Sequence, residues 1–155
     1  MTRLNVFEIE VPEGGDRPAG FRVSDLQLGP LLGASRLGAT LYEVPSGEGQ
    51  GPYHYEHNNE EWLLVLAGTP TLRTPSGEHQ LRPGDLVAFI EGPEGAHSIA
   101  NQSDAIARYL ILSTKRNPAV AVYPDSNKLA IWRLGNDGII VRRSDAVDYW
   151  EGETP

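Results

Sequence analysis

Apolar residues in this chain occur in short runs, and turn-forming residues separate each run from the next. In most runs the apolar residues alternate with polar ones or follow one another directly, which is typical of β-strands. The 17 glycines and 12 prolines are spread along the chain, as many tight turns require. The pattern therefore predicts an all-β protein whose antiparallel strands form a barrel or a sandwich. The predicted strands are residues 37–44, 62–66, 71–73, 86–90, 97–100, 106–112, 128–132 and 139–142.

Two other local signals accompany this pattern. Asn136-Asp137-Gly138 lies between two β-rich runs and predicts a hairpin, because glycine tolerates the positive φ of tight turns. A single helical turn is predicted at residues 144–150, where Ser144 can cap the first turn. The length of 155 residues suits a single domain.

Composition and charge exclude several classes of protein. The absence of cysteine excludes a disulfide scaffold, an iron–sulfur cluster and a thiol nucleophile, and it favours a reducing, cytoplasmic location. The formal net charge of −8, without a basic stripe, argues against binding to nucleic acid or to an anionic membrane surface. No apolar run reaches the roughly 18 residues that a membrane-spanning helix needs, and the N-terminus lacks the apolar core of a signal peptide.

One region, residues 51–62, concentrates ionisable side chains among the predicted strands. On an extended strand His54 and Glu56 point to the same face, because side chains alternate with a period of two. Glu61 opens the next predicted strand and shares its face with apolar side chains that point inward. His97 opens a later strand and is a fourth candidate for the same site. Imidazole and carboxylate groups are suitable ligands for zinc, iron, nickel, manganese or copper.

The spacing of these groups resembles the two sequence motifs of the cupin family. In the first motif a His-x-His pair precedes a Glu and then a Gly, and in this chain Glu56 stands where the second His is expected. In the second motif a Gly and a Pro-Gly turn precede a His and then an Asn. The residues that carry the resemblance are His54, Glu56, Glu61 and Gly68 in the first motif, and Gly84, Pro93, Gly95, His97 and Asn101 in the second.

The resemblance implies an antiparallel jelly-roll β-barrel in one domain. Its barrel core would span about residues 37–113, with an N-terminal arm at 1–36 and a C-terminal extension with extra strands at 114–155. A homodimer is expected, because the apolar segments at residues 3–11 and 128–132 read as extra strands that need partners.

The resemblance also implies a metal site. By family practice His54, Glu61 and His97 bind a divalent transition metal, which could be iron, manganese, nickel or zinc. Glu56 joins this set by its position in the motif, and carboxylate is a suitable ligand. His57 is the alternative to Glu56 if a bulge turns the local strand.

These expectations favour a metal-dependent enzyme with a small-molecule pocket, of the dioxygenase, isomerase or lyase class. The alternative is a non-catalytic protein that binds or senses a small metabolite, because cupins share a site and not a chemistry. An enzyme also needs a proton-transfer group that is not itself a metal ligand. The available strand residues are Tyr42, Glu43, Arg108 and Tyr109, whereas His79 lies in a polar hairpin and is expected at the surface.

Overall fold

The computed structural model describes residues 1–133 and 138–154, and most of its regular structure is β-strand. The prediction of an all-β antiparallel fold is confirmed. The strands are β1 (Ser24–Gln27), β2 (Leu37–Val44), β3 (Tyr55–Glu56), β4 (Glu61–Ala67), β5 (Thr71–Thr74), β6 (Gly77–Gln80), β7 (Leu86–Phe89), β8 (Ser98–Ala100), β9 (Ala107–Thr114), β10 (Ala119–Tyr123), β11 (Lys128–Trp132) and β12 (Ile139–Arg142).

The described strands form three antiparallel sheets. The largest has the order β1-β2-β9-β4-β7, the second has the order β12-β11-β10-β3, and the smallest has the order β6-β5-β8. Neighbouring strands in the largest sheet are mostly distant in sequence, as in a jelly roll, where successive strands cross from one sheet to another.

The main core lies between the largest and the smallest sheets. In β4 the inward residues Leu63 and Val65 are fully buried, whereas the intervening Trp62 is 47% exposed, as the predicted alternation requires. These residues share one apolar cluster with Leu72 of β5 and Ile99 of β8. Because the cluster joins strands of both sheets, the two sheets pack face to face as in a jelly roll.

The N-terminal arm covers the other face of the largest sheet. The apolar residues at positions 4, 6, 9 and 11 pack against Leu28, Leu41 and Leu110. Arg108 donates hydrogen bonds to the carbonyl oxygens of Val6 and Ile9, at 3.1 and 2.6 Å. The prediction of a strand at residues 3–11 is wrong, because this segment forms turns that spread its apolar side chains over a sheet face instead of pairing along an edge.

Several short elements escaped prediction. They are β1, β3, β6, β10 and a five-residue helix, Leu28–Leu32, which ends at Gly33 with a φ of 72°. The predicted helical turn at residues 144–150 is reduced to a 3-10 turn at Arg143–Asp145. The predicted hairpin turn at Asn136-Asp137-Gly138 falls partly outside the described residues, although β11 and β12 on its two sides pair antiparallel.

Gly68, the last residue of the first motif, sits where a side chain cannot fit. Its φ is +75°, and a Cβ there would lie 2.7 Å from the carbonyl oxygen of Ile106 and 2.8 Å from the Cα of Ala107. We expect Gly68→Ala to lower the free energy of unfolding by about 2–4 kcal/mol, because it combines an unfavourable φ with a backbone clash. Urea unfolding measures this loss.

The matched control for Gly68→Ala is Gly47→Ala. Gly47 has a similar φ of +79°, but a Cβ added there would have no other atom within 4 Å. This variant should lose only about 1–2 kcal/mol, the cost of the left-handed conformation alone. Equal losses in the two variants would show that the close approach of β9 to Gly68 has no energetic weight.

Within the described residues, no helix has the length and apolar character needed to cross a membrane.

Candidate metal centre

Two histidines are brought together by an isolated antiparallel bridge. The backbone N–H of His54 donates to the carbonyl oxygen of His97 at 3.0 Å, and the N–H of His97 donates to the carbonyl oxygen of His54 at 2.8 Å. Residues paired directly in this way place their side chains on the same face. The two imidazole rings accordingly lie 4.8 Å apart between centroids.

Glu61, the first residue of β4, completes a group of three potential ligands. Its Oε2 lies 3.8 Å from Nε2 of His54 and 3.6 Å from Nε2 of His97. All three ligand atoms lie within 4.8 Å of one another. These separations are close to the roughly 3.4 Å expected between two ligands that bind a tetrahedral ion with bonds of about 2.1 Å.

The protonation of both rings is set by backbone carbonyls. Nδ1 of His54 lies 3.0 Å from the carbonyl oxygen of Pro52, and Nδ1 of His97 lies 3.0 Å from that of Gly95. A carbonyl oxygen only accepts hydrogen bonds, so each Nδ1 carries the proton and each Nε2 keeps its lone pair. The lone pairs therefore belong to the nitrogens nearest Glu61, as metal-binding histidines require.

Aromatic side chains fix the orientation of the rings. Phe89 of β7 stacks on His97 with 3.6 Å between ring centroids and 10° between planes. Tyr123 of β10 lies against His54 with 5.8 Å between centroids. Because His97 is also only 2% exposed, its ring has little freedom to turn away from the centre of the group.

Neither imidazole of the group carries a positive charge near pH 7. Burial lowers the pKa of His97 to about 4 and also lowers the pKa of His54, so both rings are neutral near pH 7. Burial, with a smaller contribution from Glu56, raises the pKa of Glu61 to about 7. The buried Oε2 of Glu61 has no hydrogen-bond partner among the described residues. A divalent ion would satisfy this oxygen and both lone pairs, so the donor set fits a metal.

Glu56 lies beside this group without belonging to it. Its Oε2 accepts a hydrogen bond from the side chain of Asn59 at 3.3 Å, and its charge is close enough to raise the pKa of Glu61. Burial raises the pKa of Glu56 itself. In the strand the residue pairs with Ala121 of β10, whereas His54 pairs with His97, so the chain changes pairing partners between the two residues.

The other two histidines point away from the centre. His57 is exposed, and its ring contacts the edge of Tyr55 with 5.2 Å between centroids. His79 is exposed in the β5–β6 hairpin, where its Nε2 lies 3.0 Å from the hydroxyl of Ser76, in agreement with its predicted surface position.

The four candidate proton-transfer residues lie on two opposite faces of the largest sheet. Tyr42 and Tyr109 lie in the core between the sheets, with 5.6 Å between ring centroids. The hydroxyl of Tyr109 is fully buried without a hydrogen-bond partner among the described residues. Glu43 and Arg108 pair with each other on the opposite face, where Arg108 holds the N-terminal arm. Only the two tyrosines therefore share the interior with the metal centre.

A pair of asparagines that sequence reasoning missed joins the site to the C-terminal extension. The side chain of Asn58 donates to the carbonyl oxygen of Pro118 at 2.7 Å and accepts from the N–H of Val120 at 3.0 Å. The side-chain oxygen of Asn59 accepts from the N–H of Arg116 at 2.9 Å. The adjacent amides of Asn58 and Asn59, between the motif residues, are the sequence feature that indicates this role. Asparagine side chains commonly form hydrogen bonds with backbone groups of loops.

Comparison with known proteins gives one family match. The family described as the cupin domain matches residues 40–113. Among curated proteins, none is significantly similar to this chain.

Solved structures extend the similarity beyond that segment. A sugar phosphate isomerase of the cupin superfamily from Silicibacter pomeroyi is 26% identical, with a TM-score of 0.80 over 96% of this chain and 98% of its own. A candidate sugar phosphate isomerase from Acidithiobacillus ferrooxidans is 27% identical, with a TM-score of 0.76 over 83% of this chain and 81% of its own. The polyketide cyclase RemF from Streptomyces resistomycificus shares the fold at 22% identity, with a TM-score of 0.62 over 77% of this chain and 83% of its own.

Proposed function

We propose, from the premise that this chain is a member of the cupin family, that it is a metal-dependent enzyme that isomerises a small polar molecule. The observation that carries the proposal is the convergence of Nε2 of His54, Nε2 of His97 and the unpartnered Oε2 of Glu61. Burying these groups without a ligand costs free energy, about 1–3 kcal/mol for each unsatisfied polar atom. A bound cation explains why they are buried together.

Glu56 is proposed as the fourth ligand. Its support is its position in the motif and its nearness to Glu61. Its Oε2 accepts the hydrogen bond from Asn59, which leaves Oε1 as the oxygen that would bind the ion. With two neutral imidazoles and two ionised carboxylates, a divalent centre has no net charge, so such a centre itself attracts anions only weakly.

The isomerase class is favoured over the dioxygenase and lyase classes by the two neighbours at 26% and 27% identity, which carry the description of sugar phosphate isomerase. A divalent metal at this site would supply polarisation of a substrate carbonyl. The chain must then supply the group that moves a proton between neighbouring carbons. Tyr42 and Tyr123 are side chains near Glu61 that can do so, and Glu56 is a third if it is not a ligand, since all three are linked to Glu61 electrostatically.

A homodimer and a cytoplasmic location are proposed as well. The segments first expected to need a partner are covered within the chain, because residues 4–11 pack on the largest sheet and β11 pairs with β10 and β12. Support for a dimer comes instead from β12, where three exposed apolar residues, Ile139, Ile140 and Val141, lie on an edge strand. The cytoplasmic location is supported by the lack of cysteine.

The test of the proposed function combines metal content with proton exchange. Protein purified without an affinity tag should contain iron, manganese, nickel or zinc in a nearly one-to-one ratio by elemental analysis. Incubation of that protein with aldose phosphates in deuterium oxide should produce the ketose isomer or deuterium at the carbon beside the carbonyl, detected by NMR. Metal without turnover would favour a binding or sensor protein, and no metal uptake on dialysis would overturn the proposal.

A further inference from the structure

A cleft of about 270 Å³ opens beside the metal centre. Its lining includes the carboxylates of Glu56 and Glu61, the apolar ring of Trp132, and the cations Lys115, Arg116 and Arg133. Its volume is below the roughly 300–1,000 Å³ of sites that take drug-sized ligands, so it suits a small metabolite. We refer to this space as the Glu61 cleft.

The backbone that carries the two cations is held firmly against the site. The N–H of Lys115 donates to the carbonyl oxygen of Arg36 at 3.0 Å, and the N–H of Arg116 donates to the side-chain oxygen of Asn59 at 2.9 Å. Asn59 also donates to Glu56. One amide side chain therefore fixes the position of the cationic segment relative to the carboxylates of the metal centre.

Lys115 and Arg116 differ from most other cations of the chain in where they lie. Both are exposed and form no ion pair with a described residue. Arg142 and Arg143 are another adjacent exposed pair, but they are not among the residues that line the Glu61 cleft. Lack of an ion pair is therefore not the distinguishing property. The distinguishing property is that Lys115 and Arg116, together with Arg133, line one small cleft with Glu61.

We infer that the Glu61 cleft binds a phosphate monoester, with its phosphate on Lys115 and Arg116 and its reacting end at the metal centre. This inference rests on the proposed function and names the substrate class. The charge at the metal is offset by carboxylates, so an anion is attracted to the cations that line the cleft. A phosphate dianion matches two cations, and the guanidinium of Arg116 can bind two of its oxygens at once.

The experiment measures binding of four probes to the full chain by calorimetry and phosphorus NMR. The probes are inorganic phosphate, glycerol 3-phosphate, erythrose 4-phosphate and ribose 5-phosphate, each titrated into metal-free and zinc-loaded protein. Binding of at least one monoester is expected, and Lys115→Ala/Arg116→Ala should weaken it on the order of 100-fold, because two charged hydrogen-bonding groups are lost. The same variant should keep its zinc affinity. Arg142→Ala/Arg143→Ala, with the same change in net charge, should keep both.

The outcomes separate this inference from the proposed function. If no monoester binds, or if the Lys115→Ala/Arg116→Ala variant binds as tightly as the unchanged chain, the phosphate subsite is overturned while zinc binding and turnover can stand. If acetate, titrated as a control beside the four probes, binds as tightly as the monoesters and its binding is lost in the same variant, the phosphate assignment is wrong. If the chain takes up no metal but still binds monoesters through these two residues, the subsite stands and the proposed metal-dependent reaction fails.

Discussion

Replacing His97 by alanine is expected to lower the zinc affinity on the order of 100-fold or more. His97 contributes an imidazole whose Nδ1 is hydrogen-bonded to Gly95, whose plane is stacked on Phe89 and whose Nε2 lies 3.6 Å from Glu61. Loss of an outer partner of a metal-binding histidine already costs about 10–100-fold in affinity, so loss of the ligand itself should cost more. Competition with a chromophoric chelator measures the affinity. His54→Ala should have an effect of the same order.

The matched controls are the two histidines that point outward. His57→Ala and His79→Ala remove the same side chain from exposed positions, one of them only three residues from His54. Both should leave zinc affinity unchanged within about twofold, as is usual for surface substitutions. A similar loss in all four variants would mean that histidines bind zinc non-specifically. A loss in His57→Ala alone would place the bulged-strand alternative above the present assignment.

Glu56→Gln distinguishes the two roles proposed for that residue. The amide can still accept the hydrogen bond from Asn59, so the local structure should be preserved. A loss of zinc affinity of about tenfold or more would identify Glu56 as a ligand. Unchanged affinity with loss of turnover would identify it as the proton-transfer group, and no effect on either would remove it from the site.

The sequence predicted those parts of the site that depend on regular alternation within one strand. Glu61 points inward with Leu63 and Val65, and His97 shares a buried face with Ile99 and Asn101, as a period of two requires. Asn101 adds a structural role, since its side chain donates to the carbonyl oxygens of Val44 and Ala105.

The same rule does not decide the direction of Glu56. Counting by two places it on the face of His54, yet the chain changes partners between these residues, from His97 to β10. Alternation describes a strand within one sheet, and it does not fix direction where the chain passes from one sheet to another.

The position of Lys115 and Arg116 beside the site could not be predicted from the sequence, for a different reason. Their nearness to Glu56 depends on hydrogen bonds between segments more than fifty residues apart, such as that from Arg116 to Asn59.

The zinc affinity of the unchanged chain should rise about 100-fold between pH 5 and pH 8. Glu61 must lose a proton to bind the metal, and its pKa of about 7 means that this proton is present through most of that interval. His97 contributes little, because its pKa of about 4 means that its ring is already neutral at pH 5. Burial lowers the pKa of His54, which reduces the contribution of that ring as well. A plot of log affinity against pH should have a slope near one and level off above about pH 7.

Metal affinity is the informative quantity here because Glu61 and His97 make opposite contributions to the pH dependence of the stability of the metal-free protein. The raised pKa of Glu61 favours the folded state at low pH, and that contribution is lost as the pH rises from 4.5 to about 7. The lowered pKa of His97 has the opposite sign, since its contribution is lost as the pH falls from 6.5 to about 4. The contributions of Glu61 and His97 to stability largely cancel between those pH values.

The control for the affinity profile is Glu60→Gln, which removes the exposed neighbouring carboxylate and should leave the dependence of zinc affinity on pH unchanged. A slope near two would show that a second group, Glu56 or a histidine, also releases a proton. A midpoint near 4 would show that Glu61 does not control the affinity.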